Sequence, residues 1–154
     1  MRSIGSNRTI VVADDDADDC ALVRDAFREA KVDAKLEFVA DGNQLLDYLR
    51  QHSEGHSGSA DADPTLILLD LNMPHKDGRE SLLEIRSDFH LQHLPIVVLS
   101  TSAHPRDVLA SYRAGANSYI VKPTRFADFT RLANTLADYW LDTVKLPPAS
   151  RSTA

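Results

Sequence analysis

Five residues whose side chains can do acid, base or nucleophilic chemistry stand at the ends of short apolar runs. Ile10-Val11-Val12-Ala13 leads into Asp14-Asp15, and Leu66-Ile67-Leu68-Leu69 into Asp70. Ile96-Val97-Val98-Leu99 leads into Ser100, and Tyr119-Ile120-Val121 into Lys122-Pro123. An ionised carboxylate at the end of a buried run needs a positive partner. If the run ends meet, three carboxylates, a hydroxyl and an ammonium converge. Carboxylates so crowded require either that one of them be protonated or that a cation sit among them. Hard oxygen donors without His or Cys suit magnesium, which is held by one or two carboxylates together with water and phosphate oxygens. Lys122 is a mobile point charge suited to a carboxylate or phosphoryl oxygen, Ser100 can donate a hydrogen bond to the same group, and aspartate is a known nucleophile in phosphoryl transfer.

The elements that would bring these residues together follow from periodicity. The apolar run before Asp14 reads as a first strand, followed by a helix with Cys20, Val23, Phe27 and Ala30 on one face. Ala34 to Ala40 reads as a strand, Asp41-Gly42 as a turn, and Leu45, Leu46 and Leu49 mark a second helix. The polar, Gly- and Ser-rich segment from His52 to Pro64 reads as a loop. Leu66 to Asp70 is the third strand, followed by a helix expected to turn Leu82, Ile85 and Phe89 inward. Pro95 to Ser100 is the fourth, followed by a helix opened by Pro105 that carries Val108, Leu109 and Tyr112. Gly115 closes that helix and Ser118 to Pro123 is the fifth strand. The last helix carries Phe126, Phe129, Leu132, Ala133, Leu136 and Trp140, with the first three of these expected to face the sheet. Strict strand–helix alternation implies a parallel sheet covered on both faces. In such sheets the functional crevice lies outside the carboxyl ends of the strands, where the reactive residues fall.

Bulk composition narrows the field. A chain of 154 residues with 43% hydrophobic and 26% charged content is one globular domain's worth. The net charge of −6 argues against a nucleic-acid partner. A single cysteine excludes an internal disulfide and suits a reducing cytoplasm. No apolar run is long enough for a membrane span or a signal peptide, and the six histidines show no metal-ligand spacing.

Each residue also has a plainer reading. Asp14 to Asp16 could cap the first helix, although Asp18 or Asp19 could serve there and free the first pair. Asp70 could be a turn residue, Ser100 a loop hydroxyl, Lys122 a solvated charge and Tyr119 half-buried core. Their ordered company favours the chemical reading.

The set Asp14/Asp15, Asp70, Ser100, Tyr119 and Lys122-Pro123, with its spacings, resembles the receiver domain of two-component response regulators from about Thr9 to Trp140. "DLNMPHKDGRE", "GANSYIVKP" and "YWLDTVKLP" are similar to small regulators paired with bacterial or cyanobacterial phytochrome kinases. The resemblance implies a flavodoxin-like (βα)5 fold, with residues 1–8 and 142–154 as tails around a receiver at 9–141. It implies that Asp70 accepts a phosphoryl group from the phosphohistidine of a sensor histidine kinase of phytochrome type. Asp15 and Asp70 would ligate Mg2+ directly, Asn72 would give its backbone carbonyl, and Asp14 would act through water. Lys122 and Ser100 would hold phosphoryl oxygens, Tyr119 would swing inward with Ser100, Asn72 and Ser102 would set the phosphate's lifetime, and Lys122–Pro123 would be cis. Two departures stand out: Asp16-Ala17 replaces the common Asn-Pro, and the loop from His52 to Pro64 is long.

About 30 residues follow Lys122, too few for a DNA-binding domain, so the expected output is a change of protein–protein contact. Leu136, Trp140 and Val144 continue the apolar row of the last helix beyond what one face needs, and a homodimer is expected there. The competing functions are a magnesium-dependent phosphatase or phosphotransferase acting on small molecules, for which no cap or substrate-binding insertion is visible, and a scaffold that takes no phosphate, against which the intact acidic set speaks.

Overall fold

A computed structural model describes residues 8–53 and 63–148. The expected glycine-rich loop falls largely outside these residues, as do most of the N-terminal tail and the last six residues. Five strands and five helices alternate: β1 (Thr9–Ala13), α1 (Ala17–Glu29), β2 (Lys35–Val39), α2 (Gly42–His52), β3 (Leu66–Leu69), α3 (Gly78–Ser87), β4 (Ile96–Ser100), α4 (Pro105–Arg113), β5 (Ser118–Val121) and α5 (Phe126–Ala137). A π-helical turn, Asp138–Thr143, extends α5. The sheet is parallel throughout, in the order β2-β1-β3-β4-β5.

Alternation along the strands divides the core. Val11, Ile67, Leu69 and Val98 point to the α2–α3 side with Leu45, Leu49, Leu82 and Ile85. Ile10, Val12, Leu68 and Val97 point to the α1–α5 side with Val23, Phe27, Phe129 and Leu136. β3 is buried on both faces, hence its unbroken run of apolar residues.

Local chemistry fixes where helices begin. Asp16 caps α1, its carboxylate accepting from the amides of Asp18 and Asp19. Asp77 and Glu80 form a reciprocal capping box at the start of α3. A Cβ at Gly78 would sit 2.2 Å from the carbonyl oxygen of Asp70, so only glycine lets α3 start against the end of β3. Gly115, at φ +112°, turns the chain from α4 toward β5.

Phe89, Phe126 and Leu136 are placed otherwise than expected, and α4 buries less than the other helices. α3 ends at Ser87 and Asp88 is extended, so the helical spacing stops before Phe89, which is 77% exposed; Leu91 and Leu94 fill the core there. Phe126 is the first residue of α5 and too far toward its open end to reach the sheet, remaining 42% exposed. On α4, Leu109 and Tyr112 lie exposed, and the only buried side chain is Ser111. Leu136, expected at a dimer contact, is 4% exposed and belongs to the chain's own core, with Trp140 half-buried against the same cluster. The apolar row is therefore largely used internally. There is no cis peptide among the described residues, so Lys122–Pro123 is trans; the small intrinsic preference at X–Pro bonds leaves this choice to context.

Candidate functional site

The parallel register places the reactive residues together. Asp14 follows β1 and its amide donates to the Val39 carbonyl, while Asp70 follows β3 and donates its amide to the Ala13 carbonyl. Ser100 closes β4, and the amide of Lys122 donates to its carbonyl oxygen at 2.7 Å. Backbone pairing thus fixes the bases of all four side chains. Asp70 and Lys122 line an open cleft of about 510 Å³ together with residues 15–19, Asn72 and Thr101, and the buried Asp14 and Ser100 lie behind them.

Lys122 is the hub. Its buried ammonium donates to Asp14 Oδ2 at 2.8 Å, Asp19 Oδ2 at 2.8 Å and Asp70 Oδ2 at 3.2 Å. Burial alone would favour the neutral amine, but the bonds to Asp14 and Asp19 and the charge of Asp70 outweigh it and push the pKa up, so Lys122 stays charged. Asp70 is pushed up to about 6: burial is the largest cause, the Asp14 charge adds to it, and Lys122 and the Asn72 amide oppose it. The amide of Asn72 donates to Asp70 Oδ1 at 3.2 Å, and that of Asp16 to Asp14 Oδ1 at 3.0 Å. These bonds orient both carboxylates toward the cleft.

Carboxylate oxygens of Asp14, Asp15 and Asp70 lie within 4.8 Å of one another. Opposite ligands of an octahedral magnesium are about 4.2 Å apart, so this all-oxygen trio fits a divalent cation after a small contraction. Asp15 is exposed and Asp14 and Asp70 are buried, which leaves one side open to water and substrate.

Ser100 is fully buried and its Oγ accepts from the Ser102 amide at 3.2 Å. Ser102 turns away from the cleft: its hydroxyl donates to Asp107 Oδ2 at 2.5 Å and accepts from the His104 amide. Thr101 lines the cleft instead. The half-buried Tyr119 donates its hydroxyl to the Ser102 carbonyl at 2.7 Å. Ser100, Ser102, Asp107 and Tyr119 therefore form one connected polar path from the cleft to the first turn of α4.

Sequence reasoning missed Asp19 and Asp107. Asp19 lies four residues before Val23 and seven before Ala26, both buried. Extending that inward stripe by one turn would have aimed Asp19 at the strand ends. Asp107 carried no such signal, because its partners, Ser102 on a loop and Arg79 on α3, lie outside its own helical stripe. Cys20, beside the site, donates weakly to the Asp14 carbonyl, and burial first, then the Asp14 charge, pushes its thiol up to about 11.

The sequence profile of the response regulator receiver domain matches residues 10–134. Response regulator Rcp1 of Synechocystis sp. is 37% identical over 142 residues, covering 92% of this chain and 95% of Rcp1. The phosphorylated cyanobacterial phytochrome response regulator RcpA superposes with a TM-score of 0.81 at 38% identity, covering 93% of this chain and all of that one. The Mn(2+)-bound form of Rcp1 superposes at 0.77 and 35% identity, covering 92% and 99%.

Proposed function

The chain belongs to the response regulator receiver domain family, and we propose that it accepts a phosphoryl group on Asp70 from the phosphohistidine of a phytochrome-type sensor kinase. The observation that carries this reading is the buried Lys122 ammonium reaching Asp70 and Asp14 at 3.2 and 2.8 Å, at the mouth of an oxygen-only trio. It joins a nucleophile, an electrostatic clamp and a cation site. The relatives named for phytochrome signalling and for phosphorylated and Mn(2+)-bound forms support the partner and the chemistry by similarity.

Asp70, Asp15 and the Asn72 carbonyl would hold Mg2+, with Asp14 acting through water. The cation supplies charge neutralisation and orientation of the phosphoryl oxygens. In the transfer, an Asp70 oxygen forms the new O–P bond as the P–N bond breaks. The electron pair leaves with the imidazole, which departs neutral when its other ring nitrogen carries a proton. Lys122 holds one phosphoryl oxygen and Ser100 donates to another after releasing its bond from the Ser102 amide. Little covalent work falls to the protein, so position and charge supply most of the rate. Asn72 and Ser102 flank the approach of the hydrolytic water, Ser102 through the loop that it pins to Asp107.

The protein works as a signalling phosphoacceptor in the cytoplasm, with residues 9–141 as the receiver. Tyr119, tied to the Ser102 carbonyl, turns inward when that loop moves. The output is a protein contact, and a homodimer forms through the end of α5 and its π turn. Tyr139 is 49% exposed there, edge-on to Trp140 at 5.0 Å, with Val144 beside them.

Transfer from a purified phytochrome-type histidine kinase, charged with labelled ATP and magnesium, tests the function. Label passing to this chain within the first minutes supports it, and a kinase that keeps all its label contradicts it. Sedimentation of wild type against Tyr139→Ser and Trp140→Ala tests the dimer. Wild type sedimenting as a monomer at tens of micromolar, with and without phosphorylation, removes it.

A further inference from the structure

Lys122 has three N–H donors, and all three are engaged: Asp14, Asp19 and Asp70 each take one. The bond to Asp70 is the longest, 3.2 Å against 2.8 Å for the other two. A phosphoryl oxygen on Asp70 therefore meets an ammonium already fully committed, and one bond must be given up.

Asp19 is the third residue of α1, where an acidic side chain ordinarily reaches back to the amide of the capping residue. Here that amide, on Asp16, is taken by Asp14 Oδ1. The amide of Asp19 still donates to Asp16 Oδ1 at 3.1 Å, so the helix start is satisfied without the Asp19 carboxylate. That carboxylate crosses to Lys122 instead, 103 residues away in sequence. Its side chain is 27% exposed, against 4% for Asp14 and 10% for Asp70. Of the three acceptors, Asp19 alone has ready access to water once its bond is broken, and it therefore loses least on release.

We propose that Asp19 is a positioning residue that shares Lys122 with the phosphoacceptor, drawing the ammonium toward α1 in the resting protein and releasing it when a phosphoryl oxygen arrives. This rests on the reading of Asp70 as phosphoacceptor. Asp19 then limits how firmly the phosphorylated state is held and shortens its lifetime. Removing the competing carboxylate frees one donor for the phosphoryl group and also removes a negative charge facing it.

The test compares wild type, Asp19→Asn and Asp19→Glu. In unphosphorylated protein labelled with 15N-lysine, the buried Lys122 ammonium gives an NMR resonance that reports its bonding directly. Asp19→Asn is expected to move that resonance, with Asp19→Glu staying near wild type. After labelling with acetyl phosphate and magnesium, the phosphate half-life is expected to lengthen several-fold in Asp19→Asn and return toward the wild-type value in Asp19→Glu. Beryllofluoride should likewise bind several-fold more tightly to Asp19→Asn. A Lys122 resonance unmoved by Asp19→Asn overturns the proposal, as does a half-life that is unchanged or shortened. Wild-type protein that takes no label contradicts the phosphoacceptor reading instead, and the resonance, recorded without phosphate, still decides the role of Asp19.

Discussion

Two helices begin beside the acidic cleft, and they are anchored in different ways. α1 follows Asp14 and Asp15 and buries Val23, Ala26 and Phe27 against the sheet. α4 follows Ser100 and buries only Ser111, leaving Leu109 and Tyr112 about half exposed. What holds its start is polar: Ser102 on Asp107, Arg79 on Asp107 at 3.4 Å, and Tyr119 on the Ser102 carbonyl. Apolar burial makes the α1 side a fixed platform for the carboxylates of the cleft. A few exchangeable hydrogen bonds make the α4 side the part that can move at small cost. A receiver needs both, because the nucleophile must stay put while the surface read by partners changes.

Truncations on the two sides give the largest expected difference. Phe27→Ala, on the well-packed α1, should lower stability by about 3–5 kcal/mol. Leu109→Ala on α4 should change it by no more than about 0.5 kcal/mol. Denaturant unfolding measures both, and equal losses would erase the contrast. Tyr119→Phe removes one hydrogen bond and should cost about 1 kcal/mol. It should also speed amide exchange in residues 101–113 without changing that of α1. Exchange that rises equally in both helices would mean that the loop is not an independent unit.

A pH dependence is also expected. The folded pKa of Asp70 is raised from 3.8 to about 6, so the fold favours its protonated form. Its contribution to stability is present below pH 3.8 and is lost as pH rises to about 6. Without metal, the stability of wild type relative to Asp70→Asn should therefore fall across that window and flatten above it. Saturating magnesium, which binds the ionised carboxylates, should reverse the sign. Thermal unfolding at a series of pH values, with chelator and with magnesium, checks both.

The same contrast sets what the sequence could reveal. β3 and the strand ends were legible because apolar runs stop in order at Asp14, Asp70, Ser100 and Lys122, a company that no single-residue reading explains. The packing of α4 was not, since Val108, Leu109 and Tyr112 keep helical spacing whether or not a sheet waits beneath them. Phe89 failed for a related reason: periodicity does not announce that a helix ends two residues earlier. Trp140 looked like surplus apolar surface because the π-helical turn after Ala137, which shifts the facing of later residues, has no sequence signature, whereas Leu136 lies before that turn and continues the inward stripe of Phe129 and Ala133. The Asp19–Lys122 pair spans the domain, and only the inward stripe of α1 hinted at it.

The central claim is that Asp70, clamped by Lys122 and flanked by Asp14 and Asp15, is the phosphoacceptor. Intact-mass measurement after incubation with acetyl phosphate tests it most directly, on wild type and Asp70→Asn, each with magnesium and with chelator. Wild type in magnesium should gain the mass of one phosphoryl group, labile to acid or base, and the other three samples should gain none. Undiminished labelling of Asp70→Asn, or of wild type in chelator, would contradict the account.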